Sequence, residues 1–208
     1  IVNGLYSDFY ADLRVVPKTT KFVKLTQAQL GSVRQISGVQ YATGIVENKA
    51  ILVRDQNQTV VFVKGVDSNY IHINKVNQYL KRGAFSLGNL DSPKLVIGIG
   101  VEENLLLYNA ELGTQLELIA VGRSGKSLKS MDQLNHLVAL QSGAFSVQQE
   151  FDAQYVFTSN QFAQYLFDLD TNQYSGVELS IDLSKEKSIV TAIQNLLGPG
   201  FSVQNKYQ

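Results

Sequence analysis

The most recognisable chemical spacing in the chain lies in residues 120–127, which read AVGRSGKS. They fit a relaxed phosphate-loop pattern, with alanine in place of the first glycine, and they follow a predicted strand. In a working loop the backbone cradles the phosphates, while Lys126 and Ser127 would contact phosphate oxygens and Mg²⁺. However, residues 128–133 make a poor helix, and no apolar run ending in aspartate supplies a second magnesium ligand. We predict a loop between two strands, and keep a nucleotide-binding enzyme using Gly125, Lys126 and Ser127 as the alternative.

Two further patterns suggest metal or acid–base chemistry. Residues 168–172, DLDTN, imitate the start of a calcium loop, but Gln173 stands where glycine is needed and Leu179 where a bidentate glutamate is needed. The histidines, His72 and His136, have no close sequence partner of metal-ligand or triad type. We therefore predict a helix C-terminal turn at 168–172, surface or packing roles for both histidines, and no catalytic residue, metal or cofactor.

The amino-acid composition limits the classes of protein to which this chain can belong. The chain has 208 residues, of which 44% are hydrophobic and 17% charged, as in globular domains. Eighteen basic residues balance eighteen acidic ones, and no run of five like charges occurs, so we expect no nucleic-acid partner. The absence of cysteine excludes disulfides and thiol chemistry within these residues. Neither a signal peptide nor a membrane-length apolar run is visible, so we expect a domain cut from a longer protein.

The elements that would position these residues are clearest at the two chain ends. Both ends carry strand, helix and strand patterns with recognisable caps. The N-terminal end predicts a strand at 11–16 before Pro17, a helix from the capping box of Thr26 and Gln29 to Gly38, and strands at 39–46, 49–53 and 59–66. The C-terminal end predicts a strand at 155–158, helices capped by Ser159 and Ser184, an alternating strand at 177–183 solvated on one face, and a strand at 201–207.

The middle of the chain is less regular and rich in glycine. It predicts a helix at 69–82, a helix at 101–108, and strands at 94–97, 115–121 and 137–141. We expect an α+β fold in which residues 1–70 and 150–208 together form one α/β sandwich. Residues 71–149 would be a β-rich insertion into it.

The order of short segments resembles the periplasmic domains of LolC/LolE-type permeases within the wider MacB family. The similar segments span most of the chain: 7–15 (SDFYADLRV), 36–39 (ISGV), 63–67 (VKGVD), Arg82-Gly83, Val96-Ile97-Gly98 with Leu105 and Gly113, 145–152, 155–158 (YVFT) and 163–166 (AQYL). Two positions depart from the pattern. Glu102 stands where a small residue is usual, and Thr114 replaces the acid expected after Gly113.

The resemblance implies a porter-like α/β body made from both chain ends and an inserted sabre-like part. It also implies a domain on the periplasmic side of the bacterial inner membrane, whose two ends run into membrane helices. The expected partners are a second permease subunit, in a homo- or heterodimer, and a cytoplasmic ATPase subunit acting through the membrane part. The domain would couple ATP hydrolysis to periplasmic motion for lipoprotein release or substrate export.

In LolC-like members a hairpin hook in the inserted part recruits a lipoprotein chaperone. Residues 122–133 occupy a comparable position between strands here. The resemblance therefore implies partner binding by Arg123, Lys126 and Lys129, with a periplasmic chaperone or a lipoprotein as the partner. A further alternative is a stand-alone periplasmic adhesion or scaffold domain, which chain ends lying far apart would favour.

Overall fold

A computed structural model describes residues 9–107, 111–121 and 134–207. The helices and strands along these residues are β1 (Leu13–Pro17), β2 (Val23–Lys24), α1 (Gln27–Arg34), β3 (Val39–Arg54), β4 (Asn57–Val66), β5 (Leu80–Gly83), β6 (Lys94–Gly98), α2 (Ile99–Asn104), β7 (Gln115–Val121), β8 (Leu134–Phe145), α3 (Gln149–Asp152), β9 (Tyr155–Ser159), α4 (Asn160–Leu166), β10 (Gln173–Tyr174), β11 (Gly176–Ile181), α5 (Glu186–Leu197) and β12 (Phe201–Asn205). The chain is therefore mixed α/β, as expected.

The chain divides into two compact units. The first comprises residues 1–46, 66–75 and 172–208, and the second comprises residues 47–65 and 76–171. The chain passes from the first unit to the second within β3 and returns at the end of β4. Residues 47–65 and 150–171 fall in the second unit, where β3, β4 and β9 pair with strands of the middle region. The assignment of 1–70 and 150–208 to a porter-like body and of 71–149 to an inserted part stays a prediction.

The first unit contains an antiparallel sheet with the strand order β12-β1-β11-β3. Leu13 and Val15 of β1 lie opposite Leu179 and Val177 of β11, and all four side chains are buried. Helices α1 and α5 each follow one strand of this unit and precede another, and they bury the stripes that periodicity predicts. Their buried residues are Leu30, Val33, Ile189 and Ile193.

The predicted capping box of α1 is present. The Thr26 hydroxyl accepts a hydrogen bond from the Gln29 N–H at 3.1 Å, and the Gln29 side chain accepts one from the Thr26 N–H at 2.9 Å. Leu25, before the cap, and Leu30 are both buried. After the helix, Gly38 turns the chain into β3 with φ at +97°, a conformation that glycine adopts without steric cost.

Six strands of the second unit form a closed ring. Each of β3, β4, β9, β6, β8 and β7 pairs with the next, and β7 pairs with β3 again, as in a small β-barrel. All the pairings with a described register are antiparallel except that of β6 with β8. Strand β5 pairs with the last part of β8.

Alternation along the ring strands separates an inner from an outer face. Leu52 lies opposite Leu118, and Leu116 opposite Ala139, and these side chains are buried. Their strand neighbours Ile51 and Val138 are exposed. The period-2 burial expected for strands is therefore present on β3, β7 and β8.

The helix predicted over 69–82 is wrong. The chain instead forms two 3₁₀ turns, Ser68–His72 and Lys75–Tyr79, and then β5. One local and one distant side-chain contact explain the difference, because asparagine and aspartate side chains compete with helical hydrogen bonds. The Asp67 side chain accepts from the Asn69 N–H at 2.9 Å, and the buried Asn74 side chain donates to the carbonyl of Phe9.

Two expectations for the C-terminal end also need correction. Ser184 does not cap α5: Asp182 caps a 3₁₀ turn, Leu183–Lys185, that precedes the helix. Strand β11 is not solvated on one face, because Glu178 is buried and lies beside Arg14, its register partner on β1. The Glu178 side chain, which the alternating pattern predicts to face water, is therefore buried beside the charged side chain of Arg14.

The Asp182 cap leads to a prediction on carboxyl titration. Hydrogen bonds from the Ser184 side chain and N–H lower the pKa of Asp182 below its usual value. A lowered folded-state pKa contributes stability above the unfolded-state value that is lost as pH falls through the folded-state value. We expect Ser184→Ala to raise the pKa of Asp182, measured by NMR titration of its carboxyl carbon.

The matched control is Ser188→Ala, because the Ser188 hydroxyl donates to the carbonyl of Lys185 instead. An unchanged Asp182 pKa in Ser184→Ala, or an equal change in both variants, would contradict the assignment.

Across residues 9–107, 111–121 and 134–207, none of the helices has both the length and the apolar character that crossing a bilayer requires.

Candidate functional site

The predicted partner-binding segment is carried by β7 and β8. These strands pair antiparallel from Gln115 opposite Leu140 to Val121 opposite Leu134. Residues 122–133 therefore connect two directly paired strand ends, as the connection of a β-hairpin does. Arg123, Lys126 and Lys129 lie in this connection, outside the described residues, as does the Gly125-Lys126-Ser127 alternative.

Strand β7, which leads into this connection, pairs with a neighbouring strand on each side. Ile119 of β7 pairs with Ile51 of β3 and with His136 of β8. The Nδ1 atom of His136 lies 2.7 Å from a carboxylate oxygen of Glu117, and both side chains are partly exposed. This contact is an ion pair when the imidazole is protonated, and it joins β7 to β8 close to the connection.

The outer face of the ring carries exposed apolar side chains beside the hairpin. Val60 of β4 is 60% exposed and Val138 of β8 is 45% exposed, and Ile51 and Leu140 are also exposed. Strands β3 and β8 both pair with β7, and β4 is the other neighbour of β3, so these side chains belong to one partly apolar outer face of the ring. This face was not predicted from the sequence, since alternation alone does not show which strands become neighbours.

A polar cluster connects β8 to α2 and β5. The carboxylate of Glu102 accepts hydrogen bonds from the Arg82 guanidinium and from the amide of Gln141, which is 1% exposed. The backbone of Gln141 pairs with Thr114 and with Gly113. The two positions that depart from the family pattern, Glu102 and Thr114, therefore meet at one buried glutamine.

Loss of the Glu102 carboxylate should destabilise the second unit. In Glu102→Ala the buried amide of Gln141 and the Arg82 guanidinium lose their shared acceptor, which costs roughly 2 to 3 kcal/mol. We expect that decrease in the free energy of unfolding, measured by urea denaturation. Glu111→Ala, at an exposed position, is the control and should stay within about 0.5 kcal/mol of the parent. Equal stability of both variants would refute a stabilising role for the cluster.

A second buried ion pair lies where β3 and β4 run side by side. The Lys64 ammonium lies 3.9 Å from Glu47, and the Tyr155 hydroxyl donates to the same carboxylate at 3.1 Å. Lys64 is only 7% exposed. This pair was not predicted from the sequence, although a lysine within the apolar run of β4 indicates that a buried partner is needed.

The histidines have the ordinary roles that the sequence predicts. The ring of His72 stacks on Tyr41 with a centroid distance of 4.4 Å, and His136 pairs with Glu117. Residues 168–172 follow α4, where the N–H of Leu169 returns to the carbonyl of Gln164 in a C-terminal turn. In the part of the chain that the structure describes, no three histidine, aspartate or glutamate side chains are grouped to hold a metal ion.

The first and last strands, β1 and β12, lie side by side. Leu13 of β1 is the register partner of Asn205 of β12. Beyond this row, the Asp12 carboxylate lies 3.2 Å from the Lys206 ammonium and accepts a hydrogen bond from the Ile181 N–H at 3.0 Å. One side chain therefore connects the start of β1 with the ends of β11 and β12.

Comparisons with known proteins identify relatives by structure alone. No family model matches the chain, and no curated protein matches it in sequence. The extracellular domain of the noncanonic ABC-type transporter YknZ from Gram-positive bacteria superposes with a TM-score of 0.68 at 14% identity, covering 94% of this chain and 99% of that one.

Two more solved structures are similar. The periplasmic region of MacB from Actinobacillus actinomycetemcomitans has a TM-score of 0.67 at 12% identity, covering 97% of this chain and 92% of that one. A domain of a Porphyromonas gingivalis protein described as a permease has a TM-score of 0.52 at 13% identity, covering 96% of this chain and 88% of that one. The chain therefore has the MacB-like fold found in extracytoplasmic domains of ABC-type transporters.

Proposed function

We propose that this chain is the extracytoplasmic domain of an ABC-transporter permease and that it transmits movement driven by cytoplasmic ATP hydrolysis. The observation that carries the proposal is the extent of the structural match, which covers 94% of this chain and 99% of the YknZ extracellular domain. Two chains that match end to end share the whole domain rather than one common motif. In this role the domain binds and moves, and it carries out no chemistry of its own.

The position of the chain ends supports attachment at two points. Leu13 and Asn205 are register partners, so the segments before β1 and after β12 leave the fold next to each other. A domain inserted between two membrane helices needs this arrangement. The stand-alone adhesion or scaffold alternative is favoured by ends that lie far apart, and the register of β1 and β12 speaks against it.

The finer assignments belong to the same proposal. The first unit would be the porter-like body and the second unit, with its ring of strands, the sabre-like part. Partners would be a second permease subunit and a cytoplasmic ATPase subunit. The cargo would be a lipoprotein or an exported compound, and Arg123, Lys126 and Lys129 would bind a periplasmic chaperone or lipoprotein at the end of the β7–β8 hairpin.

Cysteine labelling tests the location, because this chain contains no cysteine. In the full-length protein, Gln58→Cys introduces an exposed thiol on β4, and Val61→Cys introduces one at a position that is 0% exposed. We expect a membrane-impermeant maleimide to label Gln58→Cys in intact spheroplasts and to label Val61→Cys only after denaturation. Labelling of Gln58→Cys only after lysis would place the domain in the cytoplasm and overturn the proposal.

The coupling itself can be followed with a fluorophore on the same thiol. In the reconstituted transporter, we expect the emission of labelled Gln58→Cys to change when vanadate traps the ATPase. A variant without ATPase activity should show no change. Calorimetry of the chain with Mg-ATP addresses the enzyme alternative: measurable binding that is lost in Lys126→Ala would favour a nucleotide-binding protein instead.

A further inference from the structure

The exposed apolar and aromatic side chains of the first unit are concentrated at one end of its sheet. Among the described residues of this unit, five large side chains of this kind are exposed: Tyr10, Tyr41, Leu183, Leu196 and Tyr207. Four of them, Tyr10, Tyr41, Leu183 and Tyr207, lie at one end, and we call them the strand-end rim. Tyr207 is 76% exposed, Tyr10 56% and Leu183 54%.

Strand register places the rim residues together. In the antiparallel order β12-β1-β11-β3, the start of β1 lies beside the ends of β11 and β12, and the end of β11 lies beside the start of β3. Tyr10 precedes β1, Tyr207 follows β12, Leu183 follows β11, and Tyr41 is near the start of β3. The opposite end, where Pro17 pairs with Phe201, has Leu196 near it and the glycine-rich turn at 198–200.

Charges at the rim end are arranged asymmetrically. Protein donors bind the carboxylates there: Ile181 and Lys206 bind Asp12, Ser184 binds Asp182, and Asn205 binds Glu186. Lys185 and Lys187, two and four residues after Leu183, are exposed, and the Lys185 ammonium donates to the Ser37 hydroxyl at 3.4 Å. The rim thus exposes the side chains of Tyr10, Tyr207 and Leu183 together with Lys187, while each of these carboxylates, including the solvent-exposed one of Asp182, accepts a hydrogen bond from the protein.

We propose that the strand-end rim contacts the headgroup region of a phospholipid bilayer. Tyrosine suits that region because its ring is apolar and its hydroxyl is polar, and lysine can pair with lipid phosphates. A protein partner fits less well, since lysine is depleted in protein interfaces. The inference rests on the proposed function, because the rim is the end at which the chain enters β1 and leaves β12.

A tryptophan reporter tests the contact, because the chain contains no tryptophan. The 208-residue chain with a hexahistidine tag after Gln208 is tethered to vesicles of phosphatidylcholine and phosphatidylglycerol through a nickel-chelating lipid. Leu183→Trp reports from the rim. Leu196→Trp makes the same chemical change at the other end of the same unit and serves as the matched control. Emission is recorded with and without brominated phosphatidylcholine.

We expect a blue shift and quenching by brominated lipid for Leu183→Trp but not for Leu196→Trp. Replacing both Tyr10 and Tyr207 by serine should reduce the quenching at Leu183→Trp while circular dichroism stays unchanged. Three results would overturn the proposal. They are equal quenching at both reporters, no quenching at Leu183→Trp, and a blue shift that depends on protein concentration and occurs without quenching. The assay uses no transport activity, so its failure is distinguishable from a cytoplasmic result in the spheroplast experiment.

Discussion

Replacement of Gly98 by alanine is expected to lower the free energy of unfolding by roughly 3 kcal/mol, at the upper end of the usual cost of overpacking. A Cβ atom at this position would lie 2.0 Å from the carbonyl oxygen of Asp152 and 2.6 Å from its carbonyl carbon. These are backbone atoms, and the Asp152 side chain is itself held by Ser146 and by the N–H of Val147. The strand end and α3 would have to separate to admit one methyl group. Urea denaturation of the two proteins measures the loss.

Gly31→Ala is the matched control for that substitution. Gly31 lies inside α1, and a Cβ atom there would meet no heavy atom within 4 Å. Alanine stabilises a helix interior relative to glycine, so we expect a gain of about 0.5 to 1 kcal/mol. If Gly98→Ala unfolds at the same urea concentration as the parent, then the close contact with Asp152 does not limit the size of the side chain at residue 98.

Phe157→Ala should have an effect of similar or greater size. The ring is fully buried in the second unit and packs against Phe85, Phe145 and Phe151, with centroid distances of 5.6, 5.5 and 6.3 Å. Truncation removes the burial of a large side chain and leaves a cavity that its aromatic neighbours only partly fill. We expect a loss of about 3 to 5 kcal/mol in the free energy of unfolding, measured by thermal and urea denaturation.

Two further variants serve as controls for Phe157→Ala. Phe157→Leu keeps most of the apolar volume and should cost about 1.5 kcal/mol or less. Tyr165→Ala removes an aromatic ring that is 63% exposed and should stay within about 0.5 kcal/mol of the parent. A loss in Tyr165→Ala as large as that in Phe157→Ala would mean that aromatic content rather than burial sets the stability.

Local signals in the sequence predicted local structure well. The capping box of Thr26 and Gln29 forms as expected, Ser159 caps α4 through the Phe162 N–H at 3.2 Å, and Pro17 is the last residue of β1. The two caps depend on residues three positions apart, and the end of β1 depends on proline alone. Strand β7 was predicted with its observed bounds for a similar reason, since alternation is read within one segment.

Predictions failed where distant residues decide the outcome. The pattern at 69–82 suits a helix, but the Asn74 side chain bonds to Phe9, which is 65 residues away. Alternation in β11 suggests a solvated Glu178, but Arg14 lies beside it across the sheet. In both cases tertiary contact overrides local propensity.

The segments that resemble the permease family predicted the fold for structural reasons. Gly98 lies against the backbone of Asp152, a Cβ atom at Gly65 would lie only 2.5 Å from the Cβ atom of Ala163, and Gly83 has φ at +71°. These positions maintain close packing and turns rather than chemistry. The polar cluster of Glu102, Arg82 and Gln141 was harder to predict, because its members meet only after α2, β5 and β8 have packed.

The register of β1 and β12 also determines how the domain responds to mechanical load. Antiparallel neighbours whose ends leave on the same side are unzipped by a force that pulls those ends apart, so their hydrogen bonds break one after another. The Asp12–Lys206 pair lies beyond the Leu13–Asn205 row and would be loaded first. Segments that move together apply no such force. The first unit is therefore suited to being held by two neighbouring segments that move together, and it would lose its first strand pair if they separated.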